Sequence, residues 1–181
     1  RWHFYAGLFV MPFIVVLSLS GALYLFKPQI DRWEERAFIG QTNSNAISPG
    51  AQVDAALRSA PGSQFDAYRL PRQDGDAPMV RVILADGKAK REIFVSPQGK
   101  VLGAINPKDR IIAIDRKIHG QLLLGPQGSW LVELAASWAI FMILSGLYLW
   151  WPSGRGPAGV LWPRLMRGKR TFWRDIHAVT G

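Results

Sequence analysis

Between Phe4 and Phe26 the chain runs for 23 residues without a charged side chain, FYAGLFVMPFIVVLSLSGALYLF. At about 1.5 Å of rise per residue, a helix of that length crosses a hydrocarbon layer of about 30 Å. A backbone in hydrocarbon must satisfy its own N–H and C=O groups, so the run predicts a membrane helix over about 2–26. A second uncharged run of 18 residues, Leu134 to Trp151, predicts another over about 129–151. The first run is longer than the apolar core of a cleaved leader, and no small-residue cleavage site follows it in LFKPQIDRW.

The net charge of +9 is unevenly distributed, and the distribution sets an orientation. Arg155, Arg164, Arg167, Lys169, Arg170 and Arg174 follow the second run with no acid among them, as expected of a short cytoplasmic loop. Lys27 to Gly128 mixes 15 basic with 11 acidic residues and is expected on the outer side, because long translocated domains are largely indifferent to charge. That segregation favours membrane over nucleic acid as the partner. Trp2, Trp130, Trp150, Trp151, Trp162 and Trp173 fall at or just beyond the ends of apolar runs, where amphipathic rings settle at the interface. The chain has no cysteine, which excludes disulfides, thiolate-held haem or iron–sulfur clusters, and thiol nucleophiles from it.

Five segments follow: a first transmembrane helix (1–26), an extracytoplasmic α+β domain (27–118), a turn and second transmembrane helix (119–151), a basic cytoplasmic loop (152–173) and the start of a third helix (174–181). A chain opening on Arg1 and closing at a helix entrance reads as a segment of a larger protein. In the external domain, SPGAQVDAALRSA carries a capping Ser48, Pro49 in the first turn and Val53, Ala56 and Leu57 at helical spacing. QFDAYRL, PMVRVILA and REIFVS read as strands separated by turns, and VSPQGKVLG as a tight turn into one more. A helix laid on a three- or four-stranded antiparallel sheet would bury one face of each. In 106–128, Ile111, Ile112, Ile114 and Ile118 are expected to dip into the interface while Lys108, Arg110, Arg116 and Lys117 stay wet. Gly125, Pro126 and Gly128 should then break the backbone. The two membrane runs also close on an echo, LSGALYLFKP and LSGLYLWWP.

All three histidines lie at expected membrane boundaries. His3 and His177 enter helices from the cytoplasmic side, and His119 lies outside, before the second span. Up-and-down topology sets His3 and His177 at one depth, where two neutral imidazoles could hold a b-type haem from its two faces. Gly7 and Gly181 follow these histidines by four residues, and Gly21 lies five turns along the first helix from His3. Each lacks a Cβ and would let a flat ring approach. Pro12 should kink the first helix by freeing the carbonyl of Leu8. The blander reading is an interfacial polar residue with a packing glycine. Glu133, near the outer face of the second span, is a candidate for gating protons or facing substrate, or a side chain that snorkels to the interface. GRGPAG (154–159) satisfies a dinucleotide-binding pattern literally, but it follows a membrane helix and contains Pro157.

RWHFYAGLFVMPFIVVLSLSGALYLF, IHGQLLLGPQGSWLVELAASWAIFMILSGLYLWWP and FWRDIHAVTG, in this order and with VSPQGKVLG, resemble the PepSY-associated transmembrane family of bacterial inner-membrane proteins, which includes ferric-siderophore reductases of the ferrioxamine type. The resemblance implies a membrane α-helical, haem-binding bundle of four helices in the full protein, with an inserted α+β PepSY-like domain, residues 27–128 being periplasmic. It implies two haem b groups, electrons taken from a cytoplasmic donor, and reduction of a ferric siderophore at the outer face. His3, His119 and His177 match the family's histidine positions; His119 would serve an outer haem with a ligand from helices beyond this segment. The alternative is a membrane-anchored PepSY module that binds a peptide or regulates a peptidase without redox chemistry.

Overall fold

The computed structural model describes residues 1–151, 159, 161–166 and 168–180. They form two compact units, one of residues 1–16 with 126–181 and one of residues 17–125. Helix α1 (Trp2–Leu25) contributes to both and runs without interruption through Pro12.

In the first unit, the N-terminal part of α1 lies antiparallel to α5 (Pro126–Trp150). His3 meets Ser145, Gly7 faces Met142, and the rings of Phe9 and Trp138 meet edge-on at 5.7 Å. Ala6 and Val10 are buried on α1 and Ala135 on α5, so small residues line the seam and the backbones can approach. The other faces of both helices expose Phe, Leu, Ile, Tyr and Trp side chains, and both are long and apolar enough to cross a membrane. Helix α5 begins at Pro126, so Gly128 lies buried inside it rather than breaking the chain before it. The turn is made instead by Leu122, Leu123 and Gly125, all at positive φ. Helix α6 (Lys169–Thr180) starts within the stretch read as basic loop.

In the second unit a meander of four antiparallel strands, β1 (Gln64–Arg69), β2 (Met79–Ile83), β3 (Lys90–Val95) and β4 (Val101–Ile105), takes the order β1-β2-β3-β4. Side chains alternate across a strand, so Val80, Val82, Ile93 and Val95 share one face. That face packs on Ala55 and Ala56 of α3 (Pro49–Ser59), which Ser48 caps by accepting from the Ala51 N–H. Met79, Glu92 and Phe94 point the other way. There Phe38 stacks on Phe94 at 4.2 Å, and it can do so because Gly103 on β4 has no side chain: a Cβ there would stand 2.8 Å from the Phe38 ring. Helix α2 (Lys27–Glu34), directly after α1, packs on α4 (Ile111–Gln121), directly before the turn to α5, and the pair is tied to the sheet through Arg110–Glu92 and Glu35–Arg69.

Candidate functional site

His3 sits in the first turn of α1, and its Nδ1 is 2.9 Å from Ser145 Oγ on α5. Ser145 donates its hydroxyl proton to the carbonyl of Phe141, one turn back in its own helix, at 2.8 Å. Gly146 follows, and the edge of the His3 ring lies on it: a Cβ at Gly146 would be 3.5 Å from His3 Cε1. Gly7 faces α5, where a Cβ would meet Met142 Cε at 3.0 Å.

His119, near the end of α4, makes a matching set of contacts inside the second unit. Its Nδ1 is 2.8 Å from Ser20 Oγ on α1, and Ser20 donates to the Leu17 carbonyl at 3.1 Å. Gly21 follows, 3.6 Å from His119 Cε1 to a Cβ position. The ring is exposed on its remaining sides. The Arg116 guanidinium, one turn earlier, reaches the Tyr24 ring at 6.0 Å. Among the described residues, Nε2 of neither His3 nor His119 has a hydrogen-bond partner.

What holds α4 to α2 and to strand β3 is a buried charge network, and it corrects the expectation that Arg110 is wet. Arg110 precedes α4 and is 8% exposed. Its Nε donates to Glu92 on β3 at 2.7 Å, Nη2 to Glu35 at 2.7 Å, and Nη1 to Glu34 at 3.3 Å. Glu34 also accepts the first backbone N–H of α4, that of Ile111, at 2.9 Å, which places a carboxylate on a helix N-terminus. Arg69 forks onto Glu35 at 2.7 and 3.0 Å. Burial works against the Arg110 charge, but the Glu92 and Glu35 carboxylates more than offset it and raise its pKa. Burial likewise opposes the charge of Asp31; Lys27, then Arg72 and Arg110, outweigh it and hold the carboxyl below the usual carboxylate range. Ile112 is buried in the domain instead of entering the interface, whereas Ile114 remains exposed.

His177 lies on α6, exposed, and no hydrogen bond or ring contact among the described residues joins it to His3. Two residues before it, Asp175 is buried and takes Arg164 through Nε at 2.7 Å, Nη2 at 2.8 Å and the backbone N–H at 3.1 Å, with Arg174 Nη2 at 3.0 Å. Gly159, at φ +87°, makes room for that guanidinium: a Cβ there would overlap it at 2.5 Å. Gly181 lies outside the described residues, as does the GRGPAG stretch apart from Gly159. Glu133 is exposed on α5, and its backbone carbonyl accepts from Ser137. No group of three or more His, Asp or Glu side chains placed to hold a metal ion occurs among the described residues.

Ser20 and Ser145 were not singled out from the sequence, although the signal was present. Both lie in the echoed Leu-Ser-Gly that closes the two apolar runs. No curated protein matches the chain. Two apolar helices and an α+β domain between them describe a membrane protein with an inserted sheet, and the family model for the PepSY-associated TM region matches residues 1–181. The chain belongs to the PepSY-associated TM region family.

Proposed function

We propose that the protein is a haem-b electron conduit of a bacterial inner membrane, which takes electrons from a cytoplasmic donor and reduces ferric-siderophore iron at the periplasmic face. The observation that carries this reading is the treatment of His3 and His119. Each ring is fastened by Nδ1 to an apolar helix with Nε2 unpartnered. Residues of helix α1 take part in both seats, His3 in one and Ser20, which fastens His119, in the other. A relay across a membrane needs more than one redox centre, and the chain offers two such imidazoles.

His3 would hold the haem on the cytoplasmic side with His177, and His119 an outer haem. Haem b supplies one-electron Fe(III)/Fe(II) chemistry when bound. The chain's own part would be to present ring nitrogens and, through Ser145 and Ser20, to keep the His3 and His119 rings from turning. Gly7, Gly21 and Gly181 belong to the same reading as positions without a Cβ, and Glu133 as a carboxylate open to substrate or protons. At the outer side, one-electron reduction loosens a ferric chelate because its hard oxygen donors favour Fe(III) over Fe(II).

The test is vesicles of the full-length protein with dithionite-reduced donor on the cytoplasmic side and a ferric hydroxamate chelate on the other. Appearance of ferrous iron, trapped by a ferrous-specific chelator, that disappears in His3→Ala supports the reading. Equal rates in protein-free vesicles and in the variant contradict it. An isolated 27–118 segment that captures a peptide or peptidase, from a protein without haem, would favour the binding-module alternative.

A further inference from the structure

We propose that Ser20 and Ser145 are positioning residues that set the tautomer of His119 and His3, each locking its ring in the Nδ1–H form and turning Nε2 into the ligating nitrogen. What Nε2 then binds rests on the haem reading; the tautomer does not.

A serine hydroxyl has one proton to give and lone pairs to accept with. Ser145 gives its proton to the Phe141 carbonyl at 2.8 Å, and Ser20 gives its proton to the Leu17 carbonyl at 3.1 Å. In both cases the oxygen faces an imidazole Nδ1 at hydrogen-bond distance with only lone pairs left to offer. With the hydroxyl proton on a carbonyl of its own helix, which for Ser145 includes Met142 O at 3.3 Å as well, Nδ1 is the donor. The Nδ1–H form makes two hydrogen bonds, ring to hydroxyl and hydroxyl to carbonyl. The Nε2–H form makes one, since the hydroxyl would have to turn from the carbonyl to the ring, and it would leave a ring N–H without a partner beside an apolar helix. For the half-buried His3 an unmade hydrogen bond of this kind is costly, and for the exposed His119 it is the additional hydrogen bond that favours the Nδ1–H form.

The same three-part pattern occurs twice with different backbone surroundings. A serine accepts from Nδ1, its proton goes back to its own helix, and the next residue is a glycine against which Cε1 rests. The Cβ positions of Gly21 and Gly146 stand 3.6 and 3.5 Å from Cε1, ordinary van der Waals separations, so the serine and not the glycine is the determinant. This gives the Leu-Ser-Gly echo of the two membrane helices a physical role, as a seat for one imidazole on each. Partners of this type fix the orientation and basicity of a ligating histidine and are worth about 10–100-fold in affinity for the bound metal group.

The test uses the full chain labelled with ¹⁵N-histidine in detergent, produced without haem, at pH 8.5, where free imidazole is neutral. Ring ¹⁵N shifts are expected to show protonated Nδ1 and unprotonated Nε2 for His3 and His119. Ser145→Ala should abolish this for His3 alone and Ser20→Ala for His119 alone, while Ser145→Thr, which keeps a hydroxyl, should restore it. Nε2–H rings in the wild type, or shifts indifferent to both alanine substitutions, would overturn the proposal. Haem titration is the second arm: Ser145→Ala is expected to weaken uptake about 10–100-fold and to move the ferric low-spin resonance, with threonine rescuing both. Unchanged uptake and resonance would overturn the positioning role. The expected tautomers in a protein that takes up no haem would uphold the seats and refute the haem reading.

Discussion

Arg110 and Glu92 are both buried and joined twice, from Nε at 2.7 Å and from Nη2 at 2.6 Å, so a cation at the start of α4 is locked to the central strand pair of the sheet. The same guanidinium reaches Glu34 and Glu35 at the end of α2. Arg110→Ala would leave three carboxylates facing one another with one cation removed, and a broken buried pair of this kind costs about 3–5 kcal/mol. Thermal unfolding of the full chain in detergent, followed by the loss of β-sheet dichroism, is expected to shift downward by several degrees. Glu92→Gln, which keeps an acceptor, is expected to cost less.

Asp31 makes stability depend on acid. Its carboxyl is held below the ordinary value, so its contribution is complete above the unfolded-state pKa of about 4 and fades as pH falls through the depressed folded-state value. Asp31→Asn is therefore expected to be less stable at pH 7 yet to show a flatter stability profile below pH 4. Urea midpoints measured from pH 7 to pH 2.5 check this; parallel profiles for the two proteins would contradict it.

Gly103 carries the stack of Phe38 on Phe94. A methyl group there meets the Phe38 ring at 2.8 Å, closer than a Cβ tolerates, and the ring has Phe94 behind it at 4.2 Å. Gly103→Ala is expected to destabilise the sheet domain by about 1–3 kcal/mol, the usual cost of overpacking. Adding Phe38→Leu should recover part of that loss, a non-additivity that a double-mutant cycle reads directly.

Asp175 accepts from Arg164 at three points while Gly159 leaves room for the guanidinium. Asp175→Asn is expected to free the residues before α6 from that helix. Limited proteolysis at Arg164 should speed up at least several-fold relative to the parent protein.

Much of the fold could be read from local pattern. The uncharged runs, the Ser48 cap with Pro49 behind it, and the alternation of Val80, Val82, Ile93 and Val95 each carry their signal within a few residues, and each corresponds to an element of the structure. Helix α2 did not announce itself, because KPQIDRWE has only Ile30 and Trp33 as large apolar residues and is held by charges far away in sequence, Arg110 and Arg72 among them. Arg110 was expected in water for the same reason: a lone arginine beside lysines looks solvated until three glutamates are folded around it. At the candidate site the histidines stood out by their rarity. Ser20 and Ser145 did not, because serine is unremarkable in an apolar helix and only the spatial pairing with Nδ1 gives it a role.

Whether His3 and His119 carry haem is read from the reduced-minus-oxidised visible spectrum of the full-length protein, purified in detergent from cells supplied with iron and haem precursor. A Soret shift with an α-band of a low-spin haem b is expected, diminished in His3→Ala and diminished again when His119→Ala is added. A protein without either band, or one whose bands survive both substitutions, would contradict it.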